Sequence, residues 1–348
     1  MDRRVFLQTA GATLAATTVA GCSGVTVGGS SEETERPPPA ADRNTYASWV
    51  PAGTHSGNRV TAMTVDFELM RAEGGNQAIV RSSPDRIEDA PSDPLAGLPF
   101  SYAVLTYAIV DALVPLFDSY DRIDRAHRFE AGLVLEGSFD GLAEELASDN
   151  FEDSWTYGGF SMFSRGPLVV GTTADTFVFA DSVETRLTDR EGGAFRNTPT
   201  DRVEAMADVS NGDEQRFREV SPGFDALVDR LPKRTVMSGS FDARGGLLGT
   251  ESPVGSYYRN PNRDPIPDLK AISLDGPVVG VATSSRFRSD GLESGIALQY
   301  EDEGSVDDEA DIRAVLGSTA AEQSVEMDGR TVVVEGSFPW IRPTESSE

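Results

Sequence analysis

Met63, Val65, Phe67 and Leu69 alternate with Ala62, Thr64, Asp66 and Glu68, the two-residue period of a strand with one packed and one wet face. That strand is expected over Val60–Leu69. From Val104 to Phe117 the spacing changes: Leu105, Ile109, Ala112, Leu113 and Leu116 recur as on one side of a helix, with Pro115 placed to kink or restart it. Such a helix covers a sheet. Asp201–Asp208 and Phe224–Leu231 are predicted to be helical as well.

Two later stretches share an order of elements. In the first, Leu133–Phe139 reads as a strand, Asp140 is placed to cap a helix carrying Leu142, Ala143 and Leu146, and strands follow at Trp155–Phe163 and Leu168–Ala180. In the second, Gly295–Tyr300 is a strand, and Ser305 is placed to cap a helix with Ile312, Val315 and Leu316 on one side, which Gly317 ends. Val325–Met327 and Arg330–Val334 then flank Asp328-Gly329, a dipeptide suited to a type I′ hairpin turn. The string Gly-Ser-Phe recurs at Gly137–Phe139, Gly239–Phe241 and Gly336–Phe338. It reports either a duplicated β-α-β-β unit or chance. The fold expected is α+β, with antiparallel or mixed sheets, β-α-β-β units and helices packed on one face.

Residues 22–42, CSGVTVGGSSEETERPPPAAD, hold no aromatic residue, Leu or Ile, and run from Gly/Ser through acids to three prolines. That composition is a tether. The folded body therefore starts near Tyr46. The stretch Gly245–Pro267, rich in Gly, Pro, Arg and Tyr, reads as a loop or boundary. We divide the body near Arg234 into residues 43–233 and 234–348, the latter a second α+β domain or a continuation of the first.

Composition changes the picture in two ways. The 348 residues carry 57 Asp and Glu against 30 Lys and Arg, a net charge of −27. Only Lys233 and Lys270 are lysines, and the acids are spread along the chain. At multimolar salt the Debye length shrinks to ~3 Å or less, so dense carboxylates stay hydrated without repelling one another. The balance is that of a protein adapted to high salt. Nucleic acid is excluded as a partner, because no Lys/Arg cluster with interleaved aromatics is present to meet phosphates. Cys22 is the single cysteine and His55 and His127 the only histidines, which excludes disulfides, thiolate metal sites and a His-rich metal centre. No metal or cofactor is expected.

Residues 1–21 have the order of an export signal. Arg3-Arg4 precedes Phe6-Leu7, a mildly apolar Ala/Thr stretch follows, and Val19-Ala20-Gly21 leads to Cys22. The 17 residues from Val5 to Gly21 fall short of the ~20 strongly apolar residues of a spanning helix. The paired arginines resemble a twin-arginine signal, and Val19–Cys22 resembles a lipobox, which implies cleavage before Cys22 and lipid on its thiol. With the tether and the lysine depletion, the chain resembles uncharacterised lipoproteins of haloarchaea, as does the layout of Trp49-Val50-Pro51-Ala52 before the first strand and Gly158-Gly159-Phe160 after a β-α pair. The resemblance implies a place on the outer face of the cytoplasmic membrane and no particular activity.

Candidate chemistry is sparse. No Walker loop, G-x-G-x-x-G or G-x-S-x-G is present. His55 and His127 are expected to be exposed or paired at the surface. Glu301-Asp302-Glu303 and Asp307-Asp308-Glu309 miss the EF-hand order and are expected to form a solvated face. Trp155 and Tyr157 on one strand face are a weak candidate platform for a flat ligand, against packing, and Tyr257 and Tyr258 in the Gly/Pro-rich loop are a second. Two functions are left: a non-catalytic module binding an envelope protein or a small molecule, or an extracellular carboxylate-based hydrolase or solute-binding receptor. The charge balance makes a direct prediction. The melting temperature followed by circular dichroism should fall steadily as KCl is lowered from multimolar towards ~0.1 M, where the Debye length reaches ~10 Å; a salt-independent melt would remove the high-salt reading.

Overall fold

The computed structural model describes residues 48–52, 60–73, 93–117, 119–129, 132–149, 151–181, 198–241, 277–288 and 290–339. The signal residues Arg3, Arg4, Phe6, Leu7, Val19, Ala20, Gly21 and Cys22, the tether, His55, Tyr257 and Tyr258 lie outside them.

Twelve strands form one sheet: β1 Val60–Asp66, β2 Ile123–Phe129, β3 Gly132–Gly137, β4 Asp153–Tyr157, β5 Phe160–Arg165, β6 Leu168–Thr172, β7 Thr176–Asp181, β8 Val236–Phe241, β9 Val278–Phe287, β10 Gly291–Tyr300, β11 Glu322–Asp328 and β12 Thr331–Pro339. Their order is β11-β12-β10-β9-β8-β1-β2-β3-β7-β6-β5-β4. Every neighbouring pair is antiparallel. The fold is α+β and dominated by its sheet. Around Arg234 the sheet continues without a break, since β8 pairs with β1 on one side and β9 on the other.

Helices cover both faces, not one as expected. Met63, Val65, Ala126, Leu133, Leu135, Phe177 and Phe179 face one core, which also takes Leu95, Leu98 and Phe100 of α2 (Pro94–Leu113), Leu142 and Leu146 of α3 (Leu142–Ser148) and Ile312 of α7 (Glu309–Val315). Phe67 and Met70 of the short helix α1 (Phe67–Ala72) join it. Ala62, Phe129, Val134 and Val178 face a second core, closed by α4 (Pro199–Asn211), α5 (Phe217–Val220) and α6 (Pro222–Asp229). All five residues of β6 are buried, the pattern of a strand covered on both sides.

Several boundaries differ from expectation for local reasons. β1 stops at Asp66, whose carboxylate accepts a hydrogen bond from the Leu69 amide at 2.8 Å and caps α1, so Phe67 and Leu69 are helical. α2 begins at Pro94, well before Val104, with Asp93 as its cap and proline at its first position. It ends at Leu113, and Val114–Leu116 continues as a 3-10 turn at Pro115. Gly141 at φ +78°, not Asp140, starts α3. Asp308, not Ser305, precedes α7. The strand expected over Trp155–Phe163 folds back at Gly158-Gly159, both at positive φ, into β4 and β5. Thr173–Asp175 likewise divides Leu168–Ala180 into β6 and β7. The final hairpin turns at Gly329-Arg330, one residue later than expected.

One strand–helix stretch therefore carries three hairpins, the last of which brings β7 back beside β3, whereas the other carries one, which brings β12 back beside β10. The three Gly-Ser-Phe strings are placed differently: the first starts on the last residue of β3 and runs past it, the second lies on β8, outside both stretches, and the third lies within β12. Gly137 has its own reason: a Cβ there would stand 1.9 Å from the Arg122 carbonyl oxygen, where β2 begins. Among the described residues no helix is long and apolar enough to cross a membrane.

The start of α2 is fastened to the far end of the chain. Asp93 is 2% exposed, and its carboxylate accepts from the amides of Leu95 at 3.0 Å, Gly317 at 2.8 Å and Thr319 at 2.9 Å and from the hydroxyls of Ser318 and Thr319. Ser294 Oγ donates to the Leu95 carbonyl at 2.5 Å in the next turn. Asp93→Ala would leave these buried amides without an acceptor, and unpaired buried donors cost roughly 1–3 kcal/mol each before relaxation. Chemical denaturation of Asp93→Ala should show a loss of about 3 kcal/mol, with Asp93→Asn losing less.

Candidate functional site

A group of titratable side chains, from half-buried to almost fully enclosed, lies on the second face of β1, β2 and β3. The register pairs Thr64 with His127, Asp66 with Arg125 and Arg125 with Glu136. Residues paired across an antiparallel ladder share a face, as do residues two apart on a strand. The three strands therefore set Thr64 and His127 beside a second row of Asp66, Arg125 and Glu136. Thr64 Oγ1 and His127 Nδ1 share a hydrogen bond at 2.9 Å. Arg125 spans two carboxylates, with Nε 3.2 Å from Asp66 Oδ2 and NH1 3.2 Å from Glu136 Oε2.

Trp49 closes the group from above. Its indole Nε1 donates to Glu136 Oε1 at 2.8 Å, and its ring lies 6.4 Å from the His127 ring. Two backbone bonds hold its segment in place: Ala52 N donates to the Gln215 carbonyl at 2.9 Å, and Phe217 N to the Val50 carbonyl at 2.8 Å. His127 Nε2 stands 3.3 Å from Glu136 Oε2 without the alignment of a hydrogen bond. Burial disfavours the charged form of Glu136, but the nearby imidazole, the Trp49 indole and the Arg125 guanidinium outweigh it and hold the carboxyl down at about 2.

Hydroxyl, imidazole and carboxylate in a row are the groups of a nucleophile and its base. Here the hydroxyl and the imidazole are enclosed, Thr64 being 8% exposed and His127 2%, while Glu136 is half-buried. Both oxygens of Glu136 are engaged, so the arrangement fastens the Trp49 segment to the sheet. The expectation of a surface imidazole at position 127 is corrected, because β2 is an interior strand covered on both faces.

Trp155 and Tyr157 sit on β4 half-buried against the second core. The Tyr157 hydroxyl donates to Asp208 Oδ2 at 3.1 Å, and that carboxylate, together with desolvation, raises the phenol above its ordinary value. Asn211 Nδ2 donates to the Gly158 carbonyl at 2.8 Å. These contacts tie the β4–β5 turn to α4. Within the second acidic run, Asp307 accepts from the buried Tyr300 hydroxyl at 2.9 Å. Among the described residues no three His, Cys, Asp or Glu side chains gather as a metal-binding group. Trp49 entered the sequence reading only through the layout before the first strand and Glu136 not at all, although a glutamate inside the apolar run Leu133–Phe139 is a signal of a buried partner.

No family model matches the chain, and no curated protein matches it. Among solved structures, TP0453 in crystal form III aligns over 86% of this chain and 96% of its own, with a TM-score of 0.42 and 10% identity. Crystal form I aligns over 83% and 92%, with a TM-score of 0.40 and 12% identity. At that level the likeness says nothing of function.

Glu136 carries a pH prediction. Its folded value of about 2 lies below the ordinary 4.5, so the stability it contributes is present above pH ~4.5 and is lost as pH falls towards ~2. The full shift corresponds to at most about 3 kcal/mol, less where salt screens Arg125. Glu136→Gln should lose about 1–3 kcal/mol at neutral pH and flatten the acid limb of the stability curve, measured by denaturation from pH 7 to pH 2. An acid limb identical to that of the parent protein would contradict the assignment.

Proposed function

We propose that the chain is a lipoprotein exported by the twin-arginine route, anchored through Cys22 on the outer face of the cytoplasmic membrane, where its acidic α+β body works as a non-catalytic binding or interaction module at high salt. The observation that carries this reading is the place of the single cysteine. It falls directly after Val19-Ala20-Gly21, behind Arg3-Arg4 and Phe6-Leu7 and ahead of a tether. Two acyl chains at ~0.8 kcal/mol per buried methylene would hold the body at the surface essentially permanently.

Export of a folded body suits this topology. β1 cannot complete its pairing until β8 is made, so folding before transport removes the need to assemble a long-range sheet outside the cell. Support for the non-catalytic part is narrower. It rests on Thr64 and His127 being enclosed and on the half-buried Glu136 beside them being engaged in holding Trp49 to the sheet. The partner classes that fit are an envelope protein or a small molecule.

The anchor has a direct test. Cys22→Ser should move the protein from the membrane fraction to the medium, and Arg3→Lys with Arg4→Lys should leave unprocessed precursor inside the cell. Continued membrane fractionation of Cys22→Ser would overturn the anchor.

A further inference from the structure

Among the described residues the sheet has two strands without an outer neighbour, β4 and β11. They differ in how each would meet a copy of itself. A two-fold axis through Val325 would set Glu322 against Asp328 and Ser324 against Glu326, so like charges face each other on β11. A two-fold axis through Trp155 sets Asp153 against Tyr157, Ser154 against Thr156, and Trp155 against its own copy. No like charges oppose one another in that register.

The backbone agrees with it. β4 and β5 are joined by the two-residue turn Gly158-Gly159 with φ of +54° and +81°, and Tyr157 and Phe160 close it. In such a hairpin the closing pair is hydrogen-bonded, and bonded pairs alternate with unbonded ones. Tyr157, Trp155 and Asp153 thus turn their amides and carbonyls towards β5, while Ser154 and Thr156 turn theirs outwards. In the two-fold register Ser154 meets Thr156 of the copy, so outward groups meet outward groups. Trp155 then takes the unbonded position, where opposed side chains come closest. It is half-buried in the single chain and packs on the second core, where a second indole can cover what is left open.

We propose that β4 is a homodimer interface, in which two copies of the chain join antiparallel through Ser154 and Thr156 with Trp155 on the two-fold axis, continuing the sheet from one body into the next. Asp153 on the strand and Asp208 beside Tyr157 bring acids of both copies together, so the contact depends on salt. Five residues of edge strand make a small interface, and the association is weak in dilute solution. Confinement of both copies to one surface would raise their effective concentration.

The full chain carrying Cys22→Ser, in multimolar KCl, is the material for the test. Sedimentation velocity over a range of protein concentrations should show a monomer–dimer equilibrium that shifts towards monomer as KCl is lowered within the range where circular dichroism shows the fold intact. Thr156→Pro removes an outward amide and should raise the dissociation constant about tenfold or more. Ser154→Glu with Thr156→Glu keeps both amides and sets like charges opposite, giving the same loss if the proline variant fails to fold. With Cys22 replaced, Trp155→Cys supplies the chain's only thiol at the position that meets its own copy, and mild oxidation should yield a disulfide-linked dimer. Asp153→Cys, which faces Tyr157, should not. A monomer at every concentration and salt, a dimer indifferent to the Thr156 and Ser154 changes, or equal cross-linking at positions 153 and 155 would overturn the proposal.

Discussion

The structure depends on β1 having a partner on each side. It pairs with β2 through Ala62–Asp66 and with β8 through Val60–Val65, so the first strand of the body is its central one. Everything from β2 to β7 extends one way from it and everything from β8 to β12 the other. Both cores are organised by that strand, because Met63 and Val65 point to one face and Val60 and Ala62 to the other. Pairing a central strand with partners distant in sequence costs closure entropy, which the local hairpins on either side do not incur to the same degree.

What could be read from the sequence follows the range of the interactions involved. Alternation at Met63 and Val65, the α3 pattern at Leu142 and Leu146, and the α4 and α6 stretches are local, and their elements stand where the pattern puts them. Errors cluster where one residue serves two elements. Asp66 reads as the wet position of a strand, yet its carboxylate caps α1. Gly158-Gly159 falls inside the single strand expected over Trp155–Phe163, yet two glycines at positive φ reverse the chain. Asp93-Pro94 is a helix start visible in the sequence and eclipsed by the stronger apolar run after Val104. Strand order was not legible at all. Nothing near Thr64 announces His127 or Met237 as its neighbours, because register is settled by the packing of both faces together.

The candidate site was the least legible part for the same reason. Its members come from the Trp49 segment and three strands, and they meet only when β1, β2 and β3 are in register. His127 was noticed as one of two histidines, but its burial belongs to the interior place of β2. Glu136 becomes understandable only beside Arg125 and Trp49, which make a carboxylate tolerable between two layers. Trp155 and Tyr157 show the opposite case: an aromatic pair next to glycines suggests a binding platform, and the Asp208 and Asn211 contacts account for Tyr157 and the turn by packing on α4.

Charges inside and outside the fold respond differently to salt. Pairs such as Arg230–Asp328 and Arg288–Glu293 sit at the surface, where even at ordinary ionic strength an ion pair contributes about 0–1 kcal/mol and where multimolar salt screens it further. The carboxylates of Asp93 and Asp66 are almost fully enclosed and less open to that screening, although the Arg125 side chain that meets Asp66 is 30% exposed. Asp93 joins the start of α2 to Gly317 and Thr319, Asp66 meets Arg125 and the half-buried Glu136 meets Trp49, while surface pairs such as Arg230–Asp328 and Arg286–Glu73 also join distant parts of the chain. If the protein works at high salt, the exposed pairs are weakened before the enclosed ones, so there the contacts of Asp93 and Asp66 carry a larger share of what electrostatics gives the fold.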